Sequence, residues 1–154
     1  APRQHMRKMK VGKVTFTEAY KAVNEYRQKF PQKAVTFYAQ NYPAMGWAVF
    51  MAGGSCPVIP CTDKAFLKDA AAMEVEETNT DEYKKMVKSD IGSIIYSKSG
   101  TEIPVQLSSG KYVLKYIHPA SGKIETINKS LKINGLYKLK VPDKKEGIYW
   151  FHKL

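Results

Sequence analysis

The stretch Met45-Gly46-Trp47-Ala48-Val49-Phe50-Met51-Ala52-Gly53-Gly54-Ser55 decides how this chain is read. It is apolar on every side, so a helix made from it has no solvent face and belongs in a core. Gly53-Gly54 supplies the stop. Asn41 offers a cap and Pro43 sits near a first helical position, which predicts a helix over 43–52. On either side, residues 34–39 (Ala-Val-Thr-Phe-Tyr-Ala) and 55–59 read as short strands buried on both faces, the pattern of parallel strands. Upstream, Thr15 and Glu18 have capping-box spacing. Phe16, Ala19, Tyr20, Val23, Tyr26 and Phe30 then form one apolar stripe until Pro31, a helix over 15–30. Downstream, Asp63 opens a helix to about Met73, with Phe66, Leu67, Ala70 and Met73 on one face. The order is helix, strand, helix, strand, helix, the alternation of a parallel sheet. Two strands with open edges do not make such a sheet stable. The first half therefore reads as incomplete, and the chain as the C-terminal piece of something larger.

The character changes near residue 76. Residues 76–90 read as a polar linker, with a helical turn around Tyr83, Met86 and Val87. Strands are predicted over 91–97, 102–107, 111–118, 123–130, 136–141 and 148–153. Ser99-Gly100, Ser108-Ser109-Gly110, Ser121-Gly122 and Asn134-Gly135 punctuate them as turns. Short strands at this spacing predict a small antiparallel sandwich. Tyr96, Tyr112, Tyr116, Tyr137, Tyr149 and Trp150 face mostly its core, with an exposed subset available as a carbohydrate or protein docking face. The expected division is residues 1–75, a linker at 76–90, and a sandwich over 91–154.

Charge and composition narrow the partners. The net charge of +11 is spread over the chain: residues 1–75 carry 11 Lys/Arg against 5 Asp/Glu, and residues 76–154 carry 14 against 9. The only dense cluster is Arg3, Arg7, Lys8, Lys10 and Lys13. No zinc-finger spacing, RNA-recognition motif or basic helix accompanies the excess, so it reads as a solvated surface and no nucleic-acid partner is expected. No apolar run reaches the 18 residues of a membrane span, and the basic N-terminal stretch has no apolar region after it. Cys56 and Cys61 lack further metal-ligating neighbours, so no metal or cofactor is expected. Bridging them needs a tight loop, and two free, mostly buried thiols are expected instead.

Gly46 through Ser55, the helix running into Gly-Gly, resembles the last units of apiosidase-like glycoside hydrolases, in which a (β/α)8 barrel precedes a small β-sandwich labelled as collagen-binding. Gly92-Ser93-Ile94-Ile95-Tyr96-Ser97 through Val105-Gln106-Leu107 resembles the first hairpin of that sandwich. His118-Pro119-Ala120-Ser121-Gly122 resembles its Asp-Pro-x-x-Gly turn with His in place of Asp, and Gly147-Ile148-Tyr149-Trp150-Phe151 its closing strand. The resemblance covers nearly the whole chain. It implies an α/β plus all-β protein: the last βα units of a (β/α)8 barrel in residues 15–75, followed by an antiparallel β-sandwich. It also implies a secreted or periplasmic protein acting on polysaccharide or oligosaccharide, partnered by the N-terminal portion of its own barrel. The alternative is a non-catalytic module binding carbohydrate or matrix protein.

Glycosidases of this kind use two carboxylates, and barrel sites lie at the C-terminal ends of strands. At the end of strand 34–39 this chain has Gln40, whose amide can contact a sugar hydroxyl but cannot serve as nucleophile or acid; it reads otherwise as a helix-entry residue. Catalytic residues are thus unassigned, and the chain alone is expected to be inactive. Tyr42, with Tyr38 and Trp47, is a candidate for stacking on sugar, although Trp47 reads more simply as core. Asp63 follows the second buried strand and is either a substrate contact or, more simply, a helix cap. His118 reads as a turn residue.

Overall fold

A computed structural model describes residues 14–37 and 43–154. Three helices come first: α1 (Phe16–Lys29), α2 (Pro43–Met51) and α3 (Lys64–Ala72). Eight strands follow: β1 (Glu74–Glu76), β2 (Tyr83–Lys88), β3 (Gly92–Ser97), β4 (Glu102–Gln106), β5 (Gly110–Ile117), β6 (Ile124–Ile133), β7 (Leu136–Lys140) and β8 (Gly147–Lys153). All strand pairs are antiparallel. The chain is thus mostly antiparallel sheet with three helices, and no closed barrel forms among the described residues.

Six strands make one sheet in the order β1-β2-β3-β8-β5-β6, and β4 and β7 make a second. The large sheet is covered on both faces. On one face Met86, Ile94, Tyr96, Ile117, Ile148 and Trp150 share a core with all three helices. On the other Ile95, Tyr112, Leu114, Tyr116, Tyr149 and Phe151 share a core with Ile103, Val105 and Leu139 of the small sheet. Central β3 is consequently buried at every position, as is β8 from Gly147 to Phe151. Continuous burial, which a sequence reader associates with parallel strands, arises here from two different covers on an antiparallel sheet.

The expected helices are present. Thr15 Oγ1 accepts from the Glu18 N–H at 3.2 Å and Glu18 Oε2 accepts from the Thr15 N–H at 2.9 Å, a complete capping box. Helix α2 is buried as its composition requires, with Trp47, Ala48 and Met51 almost wholly inaccessible. Gly46 lets it approach the neighbouring chain closely, because a Cβ there would lie 1.8 Å from the Val58 carbonyl oxygen. The Arg27 guanidinium donates to Ala52 O at 3.0 Å just beyond the end of α2, where the helix dipole favours a cation. Trp47 Nε1 donates to Pro119 O at 2.8 Å. A Cβ on Gly122 would come within 2.5 Å of Pro60 O. The His118–Gly122 turn therefore locks onto the helical layer.

Three expectations change. Residues 34–37 and 55–59 are not strands; they share one backbone rung, Ser55 N–H to Val35 O at 2.7 Å. The segment around Tyr83, Met86 and Val87 is strand β2 rather than a helical turn. Its polarity is misleading because Lys84 points inward: its ammonium lies over the Tyr20 ring at 4.7 Å and donates to Thr80 O at 3.1 Å. Cys61 is buried as expected, but Cys56 is exposed, at a φ of 52°; both thiols are free. Desolvation pushes the Cys61 thiol up from its ordinary value.

Candidate functional site

The sequence-derived candidates that lie within the described residues take structural roles. Asp63 caps α3, its Oδ1 accepting from the Phe66 N–H at 2.9 Å. Gln40 and Tyr42 lie outside the described residues, as does Tyr38. Trp47 is core, meeting Phe50 and Phe66 edge to face. Among the described residues no group of three or more His, Cys, Asp or Glu could hold a metal ion, and no helix is long and apolar enough to cross a membrane.

One concavity is a groove of about 400 Å³ between β6, at the edge of the large sheet, and β7 of the small one. That volume falls within the range of small-ligand sites, about 300–1,000 Å³. Its floor comes from strand alternation. Leu114 and Tyr116 of β5, Tyr149 of β8 and Leu139 of β7 point between the sheets, and Tyr137 closes one side. β6 ends the large sheet while β7 belongs to a sheet of only two strands, so among the described residues no strand joins the two sheets there. Three of the six aromatics singled out in the sequence, Tyr116, Tyr137 and Tyr149, meet here.

Hydroxyl groups hold the floor rigid. Tyr116 donates to Glu146 O and Tyr149 to Lys145 O, each at 2.8 Å. Tyr96 bonds the Glu146 carboxylate from the opposite face. Burial pushes the Tyr149 phenol up to about 12, with the neighbouring Tyr116 adding to it. Burial also raises Tyr116, helped by Glu125 and Glu146.

The rim is basic. Lys138, Lys140 and Lys145 line it with a single carboxylate, Glu125. Basic groups surround that carboxylate: Lys123 at 3.6 Å, Lys145 at 3.9 Å and His118 Nε2 at 3.2 Å. The His118 separation suits an ion pair, but the ring N–H does not align for a hydrogen bond and that nitrogen is otherwise buried without a partner. His118 and the two lysines hold Glu125 below the usual carboxylate range. Lys145 also lies 5.0 Å above the Tyr116 ring. Lys138 reaches Glu102 only at 3.8 Å, and Lys140 has no ion-pair partner among the described residues. Lys138 and Lys140 belong to β7. Nothing local in the sequence placed Glu125 and Lys145 beside them.

A second cluster ties α3 to β8. Asp69 Oδ2 accepts from Trp150 Nε1 at 2.9 Å and lies 2.7 Å from His152 Nδ1. An ionised carboxylate only accepts, so the imidazole carries a proton on Nδ1. The adjoining cavity of about 360 Å³ is lined by lysines, Asp90 and aliphatic groups, with no hydroxyl or thiol side chain for this dyad to activate. The pair serves as a strap between layers.

No curated protein matches the chain. Among solved structures, one titled "Glycoside hydrolase" aligns with 51% of this chain and 19% of its own at 16% identity and a TM-score of 0.39. A structure of CapF with the inhibitor 3-isopropenyl-tropolone aligns with 89% of this chain and 44% of its own, at 10% identity and a TM-score of 0.22. The capsular polysaccharide assembling protein CapF from Staphylococcus aureus aligns with 53% and 31%, at 16% identity and a TM-score of 0.16. The chain thus spans less than half the length of each of these structures. Residues 1–73 match the model of a family described as a domain of unknown function, DUF6298.

Proposed function

We propose that the chain is the C-terminal portion of a glycoside hydrolase acting on polysaccharide or oligosaccharide, and that its sheet-rich part braces the βα units and holds carbohydrate in the groove. The observation that carries the carbohydrate reading is the groove, where the half-buried Tyr137 and the exposed Ile127 lie beside polar and charged groups over the buried Tyr116 and Tyr149. Sugar rings have one apolar face and a polar rim, which such a surface matches.

The bracing role is supported by the core shared between the three helices and the large sheet. The Trp47–Pro119 bond adds to that support. The barrel origin of the first half is supported by the backbone rung between Val35 and Ser55, on either side of a buried helix. Val58, 85% exposed beside that rung, is where further βα units of the same protein would pack. In this reading residues 1–75 are barrel and 91–154 the accessory domain of a secreted or periplasmic protein, and the stretch 76–90 between them gives strand β2 to the sheet of that domain.

Two measurements test it. The 154-residue chain is titrated calorimetrically with a panel of plant and bacterial oligosaccharides; binding that Tyr137→Ala weakens is expected, and no binding to any of them removes the groove reading. The same mixtures are assayed for reducing ends, where none above the blank is expected because the catalytic carboxylates lie on other units. Turnover by the chain itself would overturn that assignment. A non-catalytic carbohydrate-binding module is the second reading, favoured if the natural product has a mass close to 17.4 kDa.

A further inference from the structure

We propose that the free edge of β7 takes an extended peptide segment of a partner protein, with acidic and apolar residues in alternation, as a third strand of the small sheet. This goes beyond the carbohydrate reading and does not rest on it; a strand seated there would compete with sugar for the groove.

The ladder register fixes which backbone groups are free. β7 pairs with β4 alone. In an antiparallel pair every second residue turns its N–H and C=O to the partner strand, and the residues between turn theirs away. Val141 N–H donates to Thr101 O and Leu107 N–H to Gly135 O, each at 2.8 Å, so the bonded pairs between them are Ile103–Leu139 and Val105–Tyr137. Leu136, Lys138 and Lys140 therefore present their N–H and C=O to the free edge, where no strand meets them among the described residues. The outer edge of β4 is closed by contrast. The same alternation sends Pro104, which has no N–H, to that edge, and its carbonyl oxygen accepts from Lys85 Nζ at 3.1 Å.

The groove is the space such a strand would roof. Lys85 belongs to β2, which sets β4 over that side of the large sheet, and the Tyr137 ring of β7 meets Phe151 of β8 with centroids 5.7 Å apart. The next position in the small sheet falls over β5 and β6, where Leu114 and the 53% exposed Ile127 line the groove. A strand added there points every second side chain inward, beside Tyr137 and Leu139, which calls for apolar residues. Its other side chains lie on the outer face beside the exposed Lys138 and Lys140. Opposite charges on neighbouring strands stabilise a sheet and like charges destabilise it, so those positions call for Asp or Glu. The present partner of Lys138, Glu102 at 3.8 Å, is exposed and contributes little. The same two lysines disfavour a second copy, whose β7 would set lysine against lysine in a chain of net charge +11.

The test titrates the 154-residue chain with three capped peptides: Thr-Glu-Val-Glu-Val-Glu-Val-Thr, its counterpart with Lys for Glu, and the first peptide N-methylated at its glutamates, whose N–H groups would face β7. The acidic peptide should bind at least tenfold more tightly than the basic one, and N-methylation should abolish binding. Amide hydrogen exchange followed by NMR should slow at Leu136, Lys138 and Lys140. Lys138→Glu/Lys140→Glu, which changes exposed side chains only, should reverse the preference; should that variant not fold, the N-methyl and exchange measurements on the native chain decide. No binding of the acidic peptide, binding indifferent to N-methylation, or protection elsewhere overturns the proposal. Exchange at the same amides that slows with chain concentration alone would assign the edge to a second copy and overturn it as well. None of these outcomes bears on the carbohydrate reading, which the oligosaccharide titration decides.

Discussion

Tyr116 and Tyr149 are cross-strand partners on β5 and β8, their ring centroids 5.2 Å apart, and their hydroxyls donate to successive carbonyls, Glu146 O and Lys145 O. Two side chains thereby hold the loop before β8 from beneath, and the loop in turn presents Lys145 to the groove. Gly147 makes this fit possible, since a Cβ there would lie 2.7 Å from the Tyr116 ring. The same two residues are thus core, loop anchor and site floor.

Removing one hydroxyl tests that coupling. Tyr149→Phe and Tyr116→Phe each keep the packed ring and lose one hydrogen bond, a loss of about 0.5–1.5 kcal/mol. Urea unfolding should show this for each. Groups on touching rings that hold one loop are not independent, and the double variant should depart from the sum of the singles.

Alkaline pH should unfold the chain before its other charges would. Burial keeps Tyr20, 3% exposed, and Tyr149 protonated up to about 12 in the folded chain, and Tyr96 is raised in the same direction. In the unfolded chain they ionise near 10. Between those values the folded state binds more protons, so stability falls as pH rises, by about 1.4 kcal/mol per pH unit for each such group. Below pH 10 this contribution is fully present. A thermal midpoint that is unchanged between pH 9 and 11.5 would contradict it.

Asp69→Ala should be more costly than its size suggests. It strands the Trp150 indole N–H, in a residue with no exposure, and frees His152 from α3. A buried donor left without an acceptor costs about 1–3 kcal/mol. Asp69→Asn retains an oxygen for the indole and should recover part of that loss. Chemical denaturation followed by tryptophan fluorescence distinguishes the two.

Gly46→Ala sets two effects of opposite sign against each other. Alanine in a helix interior is favoured over glycine by about 1 kcal/mol. Here the added methyl meets the Val58 carbonyl oxygen at 1.8 Å, so backbone must move, and overpacking of this kind costs about 1–3 kcal/mol. Destabilisation should win. At about 2–4 °C per kcal/mol for a chain of this length, the melting temperature should drop by several degrees; a rise would show that α2 does not press against residues 58–59.

Much of the architecture was legible because it is local. The capping box at Thr15 and Glu18, the Gly53-Gly54 stop and the Gly-containing turns each act within a few residues, and helices α1–α3 and strands β3–β8 were all foreseen within a few residues of their observed limits. The Asp63 cap belongs to the same class. Strand β2 was not legible, because Lys84 carries its charge into a cluster formed by Thr78, Thr80, Asp81 and the Tyr20 ring, which only the fold assembles.

The sequence by itself determined the elements and the alternation that sorts each strand into two faces. What covers each face was decided only in three dimensions. Continuous burial along β3 and β8 follows from helices on one side and the β4–β7 pair on the other, covers that come from separate parts of the chain. The groove is of the same kind. Tyr116, Glu125, Lys140 and Tyr149 come from four strands, and they meet because β6 and β7 part into different sheets. Local propensity acts over a few neighbours along the chain, whereas burial and charge act through space, and a site built from the second is not written in the first.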